Sequence, residues 1–123
     1  RRVLFRSQAE WLAEAVKSRE FQDASFRIVI AHMPPLPETD IWHGQAEVLD
    51  KFVPILNEAG ADVMLCGHLH EYFNNKPTDK VHFPVIDNSS NTVLKGVIKR
   101  DRLDIEIRDM SGGIVDTISI MAR

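Results

Sequence analysis

The sequence predicts an α/β (α+β) fold, in which a βαβ unit with parallel strands is followed by an antiparallel sheet. Two short, fully apolar runs separated by a helix-periodic segment point to the first part. Strict alternation of apolar and charged residues over the last third points to the second.

Taken in order, Ser7 can cap a helix, and Trp11, Leu12, Ala15 and Val16 recur at helical spacing, which predicts an amphipathic helix over 8–19. Ile28-Val29-Ile30-Ala31 is short, apolar and rich in β-branched residues, as a buried parallel strand is. It runs into His32 and a loop whose prolines at 34, 35 and 37 exclude a regular helix or central strand. Residues 45–59 carry Val48, Leu49, Phe52, Val53, Ile55 and Leu56 at helical spacing and stop before Gly60. Pro54 is expected to bend this helix or mark its start. Val63-Met64-Leu65-Cys66 supplies the second buried strand.

A strand–helix–strand order implies parallel pairing with a right-handed crossover. Both strands then end in histidine-bearing loops at one edge of the sheet, where ligands collect in open α/β folds. His32, His68 and His70 are placed together by this topology alone.

Beyond residue 80 the segments "VHFPVID", "TVLKGVIK", "RLDIEIRD" and "IVDTISI" read as short strands. Leu103, Ile105 and Ile107 alternate with Asp104, Glu106 and Arg108, as in an antiparallel strand with one wet face. Arg100-Asp101 and Ser111-Gly112-Gly113 supply the turns. No repeat, linker or low-complexity tract interrupts the chain, so residues 1–123 are expected to form a single domain, its antiparallel sheet packed on the βαβ part.

The composition agrees with a globular domain: 123 residues, 44% hydrophobic, 27% charged, net charge −3. The apolar runs are far too short to span a bilayer, so no membrane partner is implied. With 15 basic residues against 18 acidic and no dense basic block, no nucleic acid partner is implied either. Cys66 is the single cysteine, which rules out an intrachain disulfide and a cysteine-cluster zinc site. A reducing, cytoplasmic compartment is slightly favoured, and an extracytoplasmic one stays open. The opening Arg1-Arg2-Val3, with neither Met nor a signal-peptide core, raises the expectation of a piece of something longer.

Neutral imidazole is a good ligand for Mn, Fe, Zn and similar divalent ions. In extended backbone, residues i and i+2 point to one face, so His68 and His70 are expected to share a small volume, with Gly67 allowing a tight turn beneath them. His32 adds a third nitrogen. Each histidine alone is most simply a hydrogen-bonded loop residue; three at the ends of two parallel strands point to a metal.

"IVIAHMPP", a helix, and then "VMLCGHLHEY" together resemble the calcineurin-like metallophosphoesterases, with "GHLHEY" closest to the purple-acid-phosphatase-like branch. The resemblance spans roughly residues 8 to 109. It implies half of the metallophosphoesterase sandwich, a phosphoester substrate, and two divalent metal ions bridged by hydroxide in the complete protein. His32 and His68 would then bind one ion and His70 the other. The family's early Asp-x-His, Gly-Asp and Gly-Asn-His motifs do not occur here, and Asp62 and Asp87 stand in no such context. The chain is therefore expected to be the C-terminal half, inactive alone, with the missing half or a homodimer partner covering a bare sheet edge.

Among the remaining residues, His43 is a candidate to face the phosphate or donate a proton to the leaving oxygen, against the plainer reading of an exposed loop histidine. Trp42 can stack on an aromatic leaving group or anchor its loop. Glu71 and Asp40 can orient a ligand imidazole or simply be solvated. His82 reads as structural within a strand, "DNSSN" (87–91) as a polar turn near the pocket, and Tyr72 and Phe73 as the pocket floor. Two further readings remain: a non-catalytic scaffold of the same fold, and a complete chain holding one metal through His32, His68 and His70.

Overall fold

The computed structural model describes residues 2–37 and 43–123. Its elements run α1 (Arg2–Ala15), α2 (Arg19–Asp23), β1 (Ile28–Ile30), α3 (Gly44–Glu47), a π-helical turn (Val48–Phe52), α4 (Val53–Ala59), β2 (Val63–Cys66), β3 (Phe73–Asn75), β4 (Val85–Asp87), β5 (Thr92–Ile98), β6 (Arg102–Asp109) and β7 (Ile114–Met121). Among the described residues no helix is long and apolar enough to cross a membrane.

Two sheets form. The first has the order β1-β2-β4-β3, with β1, β2 and β4 parallel and β3 antiparallel to β4; the second is the meander β5-β6-β7. The expected mixed α/β class and the parallel pairing of the two histidine-bearing strands are both observed. Alternation along β2 explains the layering. Met64 and Cys66 point into a core with Val53 and Leu56 of α4, while Val63 and Leu65 point to the opposite side, against Leu103, Ile105 and Ile107 of β6. The first sheet is thus sandwiched between helices and meander, and a strand buried on both faces reads as a continuous apolar run.

Four expectations need correction. The first helix passes through Ser7 rather than starting there and ends at Ala15. A serine permits an N-cap without forcing one. Ser18 takes that role instead, its Oγ accepting from the Phe21 N–H at 3.2 Å to open α2, which the sequence reading did not anticipate. "VHFPVID" was expected to belong to the antiparallel part, yet its strand is only Val85–Asp87 and lies parallel to β2. Consequently His82 lies in the loop before β4, where its backbone N–H donates to Asn57 Oδ1 at 2.9 Å. Finally, Phe73 opens the unexpected strand β3 and is 39% exposed, so it is no pocket floor.

Pro54 behaves as expected in kind. It has no N–H to offer the preceding turn, and the helix widens just before it: the Val53 N–H reaches back five residues to the Val48 carbonyl.

Candidate metal centre

The pairing of β1 with β2 sets Ile30 beside Leu65, so the chains emerge side by side into their histidine loops. The Gly67 N–H donates to the His32 carbonyl at 3.0 Å and extends the parallel ladder one step beyond the strands. A Cβ on Gly67 would lie 4.0 Å from His32 Nδ1, so the backbone and imidazole are in near contact.

This positioning brings His68 Nδ1 within 3.1 Å of His32 Nε2. The rings meet edge to face, with centroids 4.9 Å apart and an interplanar angle of 83°. As drawn, one ring's N–H donates to the other's lone pair. The same spacing suits a shared cation: with metal–nitrogen bonds of about 2.1 Å, nitrogens 3.1 Å apart subtend about 95° at the ion, near the octahedral cis angle. His32 and His68 therefore fit one divalent metal.

His70 is placed differently. The expectation that it shares a face with His68 rests on extended backbone, but His68 and His70 have φ of 75° and 63°, and left-handed residues break the alternation of a strand. Its side chain is exposed. Among the described residues no group of three or more His, Cys, Asp or Glu side chains converges to hold a metal.

His43 caps α3 by position only, with φ 63° and no side-chain capping bond, and its ring is exposed. The following Gly44 is packed so closely on Met33 that a Cβ there would clash with the Met33 sulfur. The His43 segment is thereby held against the residue next to His32. Trp42 and Asp40 lie outside the described residues. Glu71 is exposed. The turn at 87–91 is tied to itself: Thr92 Oγ1 donates to Asn88 Oδ1 at 2.7 Å and Asn88 Nδ2 donates to the Thr92 carbonyl at 3.0 Å.

Two features were not read from the sequence. Tyr72 is part-buried against the meander core and its hydroxyl donates to Asp116 Oδ2 at 2.6 Å. Burial and this bond raise the phenol above its usual range. Asp87, the last residue of β4, is fully buried, its two carboxylate oxygens finding no hydrogen-bond partner among the described residues, and burial pushes its carboxyl up to about 7. The one available signal was a carboxylate ending an apolar "PVID" run. Asp62, by contrast, sits at the far end of the sheet, accepting the Arg27 N–H at 2.8 Å.

Beside β1 a groove of about 480 Å³ is lined by Trp11, Val29, Ile30, Met33 and Phe52 together with His32. β1 forms one margin of its sheet, and Ile30 is 81% exposed there.

A family model described as calcineurin-like phosphoesterase matches residues 1–72, a span that holds all three candidate ligands and ends at Tyr72. The chain belongs to the calcineurin-like phosphoesterase family. That family is generally dependent on divalent metals, and at the family level its chemistry is phosphoester hydrolysis. The match is shorter than the span from 8 to 109 over which the motifs suggested resemblance. No curated protein matches the chain.

Proposed function

We propose that this chain carries the later metal-ligand motifs of a metal-dependent phosphoester hydrolase of the purple-acid-phosphatase-like branch, and that the early carboxylate and asparagine motifs lie on polypeptide absent from this sequence. The observation that supports it most is the 3.1 Å approach of His32 Nε2 and His68 Nδ1 at the ends of adjacent parallel strands. His32 and His68 hold one divalent ion between them, and His70 serves a second, completed by residues from the absent half. The bound ions supply a nucleophilic water at neutral pH and charge stabilisation for the phosphoryl oxygens.

The chain's own residues do the rest. The strand ends bring two imidazoles side by side, and among the described residues no third His, Cys, Asp or Glu joins them. The proposed role of His43, supported by the packing of its neighbour Gly44 on Met33, is to meet the phosphate or to protonate the leaving oxygen. The uncovered β1 margin and the apolar groove next to it support a fold that continues across this edge, with further strands or a second copy of the chain laid against it.

The test compares the chain alone with the chain joined to the residues encoded upstream, each assayed with an aryl phosphate and manganese. Hydrolysis by the extended protein only, abolished in His68→Ala, is the expected result. Undiminished hydrolysis in His68→Ala removes the proposal.

A further inference from the structure

The loop from Gly67 to Tyr72 holds two non-glycine residues, His68 and His70, in left-handed conformations that a β-carbon makes costly. Such backbone persists only where its surroundings over-determine it. At the start of the loop the Gly67 N–H is fixed to the His32 carbonyl, and inside it the Leu69 N–H donates to the Gly67 carbonyl at 2.9 Å. At its end Phe73 enters β3, paired with Asp87 of β4, and the Tyr72 side chain adds a tie to the other sheet. Tyr72 reaches out of the first sheet's loop, packs against the apolar cluster shared by the two sheets, and donates its hydroxyl to Asp116 at 2.6 Å. Asp116 belongs to β7, paired opposite Ile107 in the meander. A hydrogen bond to an ionised acceptor at this length is among the stronger kinds, and it crosses from one sheet to the other.

We propose that the Tyr72–Asp116 hydrogen bond is the clasp that keeps the His68 ring against His32, which makes Tyr72 a positioning residue for the histidine pair. With the backbone ends of the loop pinned by pairing at Gly67 and Phe73, the tyrosine adds the tie that fixes the loop against the meander, and the left-handed residues between have little remaining freedom. The meander, beyond the span matched by the family model, thereby acts on the candidate centre without contributing a ligand. Its consequence for metal binding rests on the function proposed above; its consequence for the ring contact does not.

The test uses Tyr72→Phe and Asp116→Asn in the whole chain, with Leu103→Ala as a variant that loosens the same core at the far end of the meander. In the metal-free protein, ring-to-ring nuclear Overhauser contacts between His32 and His68 are expected in the parent chain and in Leu103→Ala, and are expected to vanish in both clasp variants. Zinc titration should then show affinity lowered by about tenfold in Tyr72→Phe, the size of effect seen when an outer support of a metal ligand is removed, and unchanged in Leu103→Ala. Persistence of the ring contact in Tyr72→Phe overturns the clasp, whatever the zinc result. If the parent chain and His68→Ala take up zinc equally, the metal reading fails, and the ring contacts alone decide the clasp.

Discussion

Cys66 and Asp87 stand side by side as register partners at the ends of parallel strands β2 and β4, a thiol and a carboxyl both shut away from water. Burial and the neighbouring carboxylate push the thiol up to about 12, so it stays neutral. Among the described residues Asp87 has no donor to satisfy it, and burial lifts its carboxyl from the ordinary 3.8 to about 7.

Stability should therefore depend on pH with a definite sign. Well below the ordinary 3.8 the carboxyl is protonated in both states and no penalty arises. As pH rises towards 7 the unfolded chain releases its proton first, and folding must either hold a proton or bury a charge. Unfolding free energy is expected to fall by up to about 4 kcal/mol across that window, and to level off above it. In Asp87→Asn the slope should flatten. Urea titrations at pH 4.5, 6 and 8 measure it; an unchanged slope in the variant would assign the dependence to another group.

The left-handed histidines lead to a second prediction. Replacing His68 by glycine removes the steric conflict of φ 75° while adding the entropy that glycine loses on folding, for a net gain of about 0.5–1 kcal/mol. The same change deletes a candidate ligand, so stability and zinc affinity should move in opposite directions. Thermal melts with and without zinc check this, and a destabilised His68→Gly protein would mean that the backbone at 68 is not strained.

Arg27 carries a third prediction, this one structural. Its guanidinium donates to the carbonyls of Phe21 and Gln22 at 3.1 and 2.7 Å near the end of α2, and to Ala59 at 2.6 Å at the end of α4. One cation thus satisfies the last turns of two helices where their dipoles favour positive charge. Arg27→Ala should cost about 2–3 kcal/mol, and Arg27→Lys should recover less than half, because a point ammonium cannot reach three carbonyls held in a planar fork. Urea midpoints read both; full rescue by lysine would show that charge alone suffices.

How much of this was legible in the sequence depends on range. The strands β2 and β6 follow from apolar runs and alternation, both local signals, with the limits observed, and the expected Ser111-Gly112-Gly113 turn falls within the connection between β6 and β7. The approach of His32 to His68 followed from topology, since parallel neighbours must end together. The placement of Val85–Asp87 in the first sheet was not legible, because a strand of three residues fits either sheet and only its pairing with β2 and β3 settles which. His70 was misjudged in face because alternation holds only in extended chain. The tie from Tyr72 to Asp116 joins residues far apart in sequence, and no local pattern announces it.

The three-stranded meander also carries a consequence for how the molecule assembles. Its ladders close across the short turns at Lys99–Arg102 and Asp109–Gly113, whereas joining β1 to β2 must first bring Ile28 to Val63 across the whole helical segment between them. Chain-closure entropy favours the nearer contacts, so the C-terminal hairpins form earliest and offer Leu103, Ile105 and Ile107 as a ready apolar plate on which the parallel strands condense. The meander's local contacts then order before the long-range parallel pairing, and the histidine pair is set only when that template is in place.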